Sequence, residues 1–401
     1  MSRLLPLALL LFATACSSPD APAIADDGYD PSTDSLRMDG EVHLRNIRQL
    51  TFGGNNAEAY WSFDDDQLIF QSDWDAINNQ GCDQQFVMNV GDAFSQGDTD
   101  RYTLTSTGEG RTTCGYFTPE GRVLYASTHE GDRACPTPPQ SAQGRYVWPI
   151  YDTFDIYESN ADGTDTELLI GGEGYDAEAT VSPDGKYIVF TSTRSGDLEL
   201  WRYERATGDL LQLTDTPGYD GGAFFSPDSK RIVWRASRPT GADADNYRAL
   251  LESGVVEPSD MNLFVADADG SNVRQITDMP GANWAPFFHP SGEKLIFASN
   301  FESEGGRAFA LYLIDLDGSN LTKLTNSGIF DAFPMFSFDG TQLVFASNRN
   351  MSREPSRDTN VFIADWVETP TAADSSFRSL VQAPSPTERP SRPGTRPVES
   401  E

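Results

Sequence analysis

The chain predicts an all-β fold, a six-bladed β-propeller, and three observations carry that expectation. A phrase of about 45 residues with four strand-like runs recurs along the sequence, which is the period of a propeller blade. The copies are clearest where two stand side by side, YDAEATVSPDGKYIVFTSTRSG from Tyr175 and YDGGAFFSPDSKRIVWRASR from Tyr219. Each copy holds an unbroken apolar triplet where a half-exposed strand would alternate, so its second strand is covered on both faces. The last copy lacks a fourth strand, and a matching segment stands near the start of the chain.

Taken in order, the first strand of each unit ends in a corner. The corners are Ser62-Phe63-Asp64, Thr118-Pro119-Glu120, Ser182-Pro183-Asp184, Ser226-Pro227-Asp228, His289-Pro290-Ser291 and Ser337-Phe338-Asp339. Proline presets the turn dihedral, and Asp with a nearby Gly tolerates the left-handed position. The triplets follow: Leu68-Ile69-Phe70, Val123-Leu124-Tyr125, Ile188-Val189-Phe190, Ile232-Val233-Trp234, Leu295-Ile296-Phe297 and Leu343-Val344-Phe345. Third strands read LELWRYE, NLFVADAD, LYLIDLD and VFIADW, several of them ending in an Asp-Gly hairpin signal. Fourth strands close on Leu213-Thr214, Ile276-Thr277 and Leu324-Thr325. The sixth unit stops after Asn360 to Val367, and Leu44 to Thr51 (LRNIRQLT) supplies its missing strand. Such closure covers two strand edges that would otherwise template aggregation.

The SPDGKYIVF and DLDGSN phrases, the closing Leu-Thr and the split blade resemble the TolB-type, WD-like β-propeller repeat over residues 41 to 367. The resemblance implies six blades. TolB also carries a separate N-terminal α/β domain without a counterpart here, so the closer likeness is to propeller-only lipoproteins related to TolB.

Composition narrows the function. A formal charge of -32 argues against nucleic acid, whose phosphates must be neutralised by Lys and Arg, and against anionic membrane surfaces. Arg3, the apolar run Leu4 to Phe12 and Ala13-Thr14-Ala15-Cys16 resemble a bacterial lipoprotein signal over residues 1 to 15, with Cys16 as the lipidated residue. Acyl chains on Cys16 would be the only membrane contact, on the periplasmic side of the outer membrane. Residues 16 to 40 read as a flexible acidic tether and 368 to 401 as a disordered tail.

Every long insertion follows a second strand: Ser72 to Gln84, Thr128 to Asp152, Arg238 to Asp260, Asn300 to Phe309 and Arg349 to Thr359. Turns after second and fourth strands share one face, so that rim is the expected working surface. ADNYRALLESG within the third insertion reads as a short amphipathic helix that buttresses the rim. Asp176, Asp220 and Asp331 open first strands in the blades whose second strands end in Arg194, Arg238 and Arg349, which predicts three structural ion pairs within about 4 Å.

Glu58, Cys114 and Glu178 hold one position in three successive blades near the channel mouth. With His129 on the same rim, the two carboxylates could hold a divalent cation, although no metal site is assigned and no cofactor is expected. Trp74, Tyr175, Tyr219 and Trp284 are candidate aromatic contacts. Cys82, Cys114 and Cys135 can form one disulfide in three ways, and Cys114 with Cys135 is the expected pair. Neither GxSxG, a P-loop nor zinc spacing occurs.

These residues describe a monomeric, non-enzymatic binding or scaffolding propeller engaging an envelope protein or peptide. The alternative is a hydrolase or lyase acting on envelope glycans or peptides through Glu58, Glu178 and His129.

Overall fold

All eighteen residues of the six apolar triplets are fully buried, because each lies in the second strand of a sheet sandwiched between neighbouring sheets. Burial of this kind is worth about 1.5–3 kcal/mol per large side chain. The computed structural model describes residues 29–30, 33–91, 97–137, 139, 146–349 and 358–377. Cys16 and residues 378–401 lie outside the described residues.

Six four-stranded antiparallel sheets form the blades. Blade one is Asn56–Trp61, Gln67–Ser72, Gln84–Asn89 and Thr103–Leu104. Blade two is Thr112–Phe117, Arg122–Ser127, Asp155–Asn160 and Glu167–Ile170. Blade three is Asp176–Val181, Tyr187–Ser192, Glu199–Glu204 and Leu210–Gln212. Blade four is Asp220–Phe225, Arg231–Ser237, Met261–Asp267 and Arg274–Gln275. Blade five is Asn283–Phe288, Lys294–Ser299, Ala310–Asp315 and Thr322–Lys323. Blade six is Asp331–Phe336, Gln342–Ser347, Asn360–Trp366 and, from the start of the chain, Leu44–Gln49. That closing strand pairs Leu44 with Trp366 and Gln49 with Phe362, which seals the ring.

The corner residues earn their recurrence through one hydrogen-bond pattern. Ser62, Ser182, Ser226 and Ser337 each donate Oγ to the Asp two residues on, at 2.6–2.7 Å. The same Oγ accepts the N–H five residues on, from Gln67, Tyr187, Arg231 and Gln342. Pattern and composition therefore agree, the mark of a locally consistent repeat.

The boundaries expected for tether and tail fall inside ordered structure. Leu36 and Met38 are buried, and Arg37 is fully so. A short helix, Ala372–Ser376, is capped by Thr371 and carries Asp374 inward. Arg45 holds both Asp374 oxygens at 2.7 Å, and Arg37 lies 3.5 Å from Asp374 with its guanidinium 4.5 Å from the Phe377 ring centroid. Burial alone would raise the Asp374 pKa, but Arg45 and the Thr371 donors hold it well below the usual carboxylate range. The sequence signal failed here because composition is read over a window, whereas a few buried charged pairs suffice to dock a segment.

Candidate functional site

Each first strand bulges at its third residue, and the bulge forces a left-handed backbone. Glu58, Cys114, Glu178, Gly222, Ala285 and Phe333 have φ of 52°, 54°, 58°, 61°, 46° and 53°. The register shifts in all six first-to-second strand pairings at this point. Bulges re-aim side chains, and here they set six equivalent positions around the channel. Three successive positions are polar, one is Gly and two are apolar, so the ring is chemically lopsided.

Glycine at position 222 has a specific use. A Cβ there would sit 1.8 Å from an Arg235 guanidinium nitrogen. Arg235 thus reaches across its own blade to Glu178 of blade three, with which it forms a tight ion pair. It also lies 2.8 Å from the Tyr219 hydroxyl and is stacked 5.0 Å from the Trp148 ring and 5.4 Å from the Tyr219 ring. Glu178 accepts further bonds from Thr191 Oγ1 at 2.7 Å, Tyr219 Oη at 2.8 Å and the Gly222 N–H at 3.0 Å. Its carboxylate is saturated.

Glu58 is not. The Cys114 thiol bonds its carboxyl, but Oε2 is enclosed without any hydrogen-bond partner among the described residues. Burial first, then the charges of Glu178 and Asp83, push its pKa up to about 7, against the lowering effects of the Cys114 bond and Arg235. Burial likewise pushes the Cys114 thiol well above its ordinary value, so it is a poor nucleophile.

The ring opens on a cavity of about 400 Å³ on the loop-rich face, lined by Glu58, Cys114, Glu178, Arg235 and the Asp83–Arg111 ion pair. Its walls include Trp148, Tyr175, Tyr219, Trp284 and Phe333. Insertions two and three meet above it, where Trp148–Pro149 pairs with Val255–Val256. Beyond the ring, Tyr60, Tyr116, Phe224 and Phe287 close the channel edge to face, with centroids 5.3–5.9 Å apart.

Of the candidate residues, Glu58, Glu178, Tyr175, Tyr219 and Trp284 come together in this cavity. Trp74 is outside its lining and packs on Gly53, Gly54 and Tyr102. His129 also departs from the expected group: its ring lies 4.3 Å from that of Tyr157, and Nδ1 pairs with Ser127 Oγ at 2.8 Å. No trio of His, Cys, Asp or Glu among the described residues is arranged to hold a metal ion, so the suggested divalent-cation group of Glu58, Glu178 and His129 is not assembled.

The expected cysteine pairing is corrected. Cys82 bonds to Cys135, with Cα atoms 5.9 Å apart, and Cys114 is free. Cys114 sits on a strand and is aimed at Glu58 by its bulge, whereas insertions one and two lie against each other along the rim. Proximity in sequence to blade two misled the expectation.

The three rim Asp–Arg pairs measure 2.8 Å for Asp176–Arg194, 2.7 Å for Asp220–Arg238 and 3.1 Å for Asp331–Arg349. Each guanidinium also covers a ring, of Phe190, Phe264 or Phe345, at 4.8–5.1 Å. In blades one and five Asn56 and Asn283 stand in the Asp position, each accepting from the Ser at the end of the second strand. The rim helix, Ala242–Glu252, buries Ala244, Tyr247 and Leu250, and the Tyr247 hydroxyl donates to Asp197 at 2.5 Å. It buttresses the insertion as its spacing predicts.

Sequence reasoning missed Arg235, Trp148 and the Asp83–Arg111 pair. A signal for Arg235 existed: the position after each triplet is Gln71, Ala126, Thr191, Arg235, Ala298 and Ala346, and the single charged residue coincides with the single Gly of the ring.

The fold is a closed ring of six blades with a loop-built cavity at one mouth, the architecture of a β-propeller. Residues 255–354 match the family model described as the TolB beta propeller domain. The chain is thus a six-bladed β-propeller, and its residues 255–354 are similar to the TolB propeller family. An uncharacterised protein of Agrobacterium fabrum is 28% identical over 156 residues, 38% of this chain and 49% of that protein, so the chain spans about half the length of the curated relative it matches. The structure of a putative TolB from Agrobacterium tumefaciens is similar with a TM-score of 0.50 at 18% identity, covering 79% of this chain and 91% of that one. A gluconolactonase of Xanthomonas campestris is also similar with a TM-score of 0.50, at 15% identity over 81% of this chain and 91% of that one. At these identities the likeness is one of fold.

Proposed function

We propose that the protein is an exported binding or scaffolding propeller that engages a protein or peptide at its loop-rich face. The observation that carries this reading is the aromatic cavity at the channel mouth: large flat side chains surround a few fixed polar groups, the usual build of a recognition site. The Cys82–Cys135 disulfide supports an oxidising compartment. With the signal-like residues 1 to 15 and Cys16, it favours a lipid-anchored protein on the periplasmic side of the outer membrane. A Cys16→Ser chain should leave the membrane fraction, and one that stays would refute the anchor.

The hydrolase or lyase alternative would need an acid–base set other than Glu58, Glu178 and His129. Glu178 is saturated by Arg235 and three other donors, His129 packs elsewhere, and Glu58 alone provides no acid–base pair. For the binding reading, a photo-crosslinking residue at Tyr146, beside the cavity, should trap a partner in cells. A matched probe at Asp184 on the opposite face should not. Ala285→Trp, which fills the ring, should abolish the Tyr146 adduct; an undiminished adduct would remove the cavity from the reading.

A further inference from the structure

The repeat contains its own reference for what a ring carboxylate requires. Glu178 receives a guanidinium from the second strand of the next blade, because Gly222 leaves room and Arg235 fills it. Moving the same relationship back two blades puts Glu58 in the place of Glu178, Cys114 in the place of Gly222 and Ala126 in the place of Arg235. Blade two therefore brings no cation to Glu58. Its own blade brings Gln71, whose Oε1 is occupied by the Thr113 hydroxyl at 3.2 Å and the Cys114 N–H at 3.3 Å.

The ionisable groups around Glu58 come from several elements, Tyr146 of insertion two among them. Tyr60 shares its strand, Cys114 faces it from blade two, Glu178 from blade three and Arg235 from blade four, while Asp83 approaches from insertion one. Arg235 is committed to Glu178 and Arg111 to Asp83. With those two pairs neutral, the cavity holds one uncompensated acidic group. Its remaining lining combines aromatic rings with neutral polar and aliphatic residues, and one wall already stacks a guanidinium, since Trp148 and Tyr219 flank Arg235.

Building on the binding reading above, we propose that the cavity receives an arginine side chain of the bound protein or peptide, seated on the aromatic walls with its guanidinium against Glu58. A planar guanidinium suits both surfaces, stacking on rings and bonding a carboxylate through its fork, better than a compact ammonium does. The net charge of -32 draws a basic segment toward the rim and accelerates its encounter. The bound cation favours the ionised carboxylate, so occupation expels the proton that Glu58 retains near pH 7.

The test uses the full chain with Nα-acetyl-arginine amide and its neutral citrulline counterpart, read by calorimetry and by the emission of Trp148 and Trp284. The arginine probe should bind and the citrulline probe should not. Affinity for arginine should fall about tenfold per pH unit below pH 7 and level off above it. Glu58→Gln should weaken the arginine probe at least about tenfold and flatten that profile, with unchanged thermal unfolding at acid pH as the control for folding. Equal binding of both probes would overturn the arginine assignment while leaving the cavity as a recognition site. Absence of binding by either, or a Glu58→Gln profile identical to wild type, would overturn it as well. Loss of cavity dependence in the Tyr146 crosslink would instead refute the underlying reading.

Discussion

Glu58 and Glu178 occupy the same position in blades one and three, share a left-handed backbone and line the same cavity, yet one is saturated and the other is not. The difference lies in the following blade: Gly222 with Arg235 behind Glu178, Cys114 with Ala126 behind Glu58. A repeat protein can thus hold a carboxylate in one state or the other by changing two residues on a neighbouring module, with the backbone untouched. Of the pair, Glu178 reads as scaffold and Glu58 as the group left for something else.

That contrast can be broken most severely at Arg235. Arg235→Met should cost about 3–5 kcal/mol in chemical denaturation above pH 7, because it strands a buried carboxylate. A smaller loss would mean that Tyr219, Thr191 and the Gly222 N–H suffice for Glu178. Replacing Cys82 and Cys135 by Ser opens a link spanning 53 residues and should cost about 2–4 kcal/mol. It should also disturb the arginine site, since Asp83 adjoins Cys82, while leaving the Glu178–Arg235 pair intact by NMR.

The two glutamates can also be made alike. Cys114→Gly with Ala126→Arg copies blade four into blade two and should supply Glu58 with an internal guanidinium. The expected result is loss of arginine-probe binding and a Glu58 titration shifted at least about one pH unit down by NMR; a Glu58 that still titrates near pH 7 would refute the equivalence. Glu58→Gln sharpens the contrast through stability. The folded pKa of about 7 lies above the ordinary 4.5, so stability is full below pH 4.5 and is lost as pH rises through 7. Wild type should forfeit up to about 3 kcal/mol across that window and the Gln variant should not. Glu199→Gln provides a second case of this kind, away from the cavity. Burial pushes Glu199 up to about 8 and leaves its Oε2 unpartnered, so the same sign applies. A modest gain in Tm above pH 8 is expected, with none at acid pH.

Much of the scaffold was legible because the blade repeats its own instructions. Pro-Asp corners, apolar triplets and Leu-Thr endings each state a strand or a turn, and six copies reinforce one another. The alignment of Glu58, Cys114 and Glu178 was legible for the same reason, since equivalent positions in a ring must converge on its axis. What the repeat does not encode was hidden. The Cys82–Cys135 bond, the Trp148 wall and the position of His129 depend on how unique insertions fold over one another, and insertion length gives no register. Arg235 lay between these cases: it was visible as an exception to the repeat, but reading it required asking what Gly222 made room for. The docked ends at Arg37 and Asp374 escaped because their stability comes from a handful of buried charges.

The aromatic quartet of Tyr60, Tyr116, Phe224 and Phe287 has a kinetic consequence for whatever occupies the molecule. With the far end stoppered, a polymer cannot thread through: only a tip, a bend or a single protruding side chain can enter, and it must leave by the way it came. Residence time is then governed by the loops at the entrance, where Trp148–Pro149 and Val255–Val256 are stitched together, so loosening that short seam should speed release without altering the floor on which the guest rests.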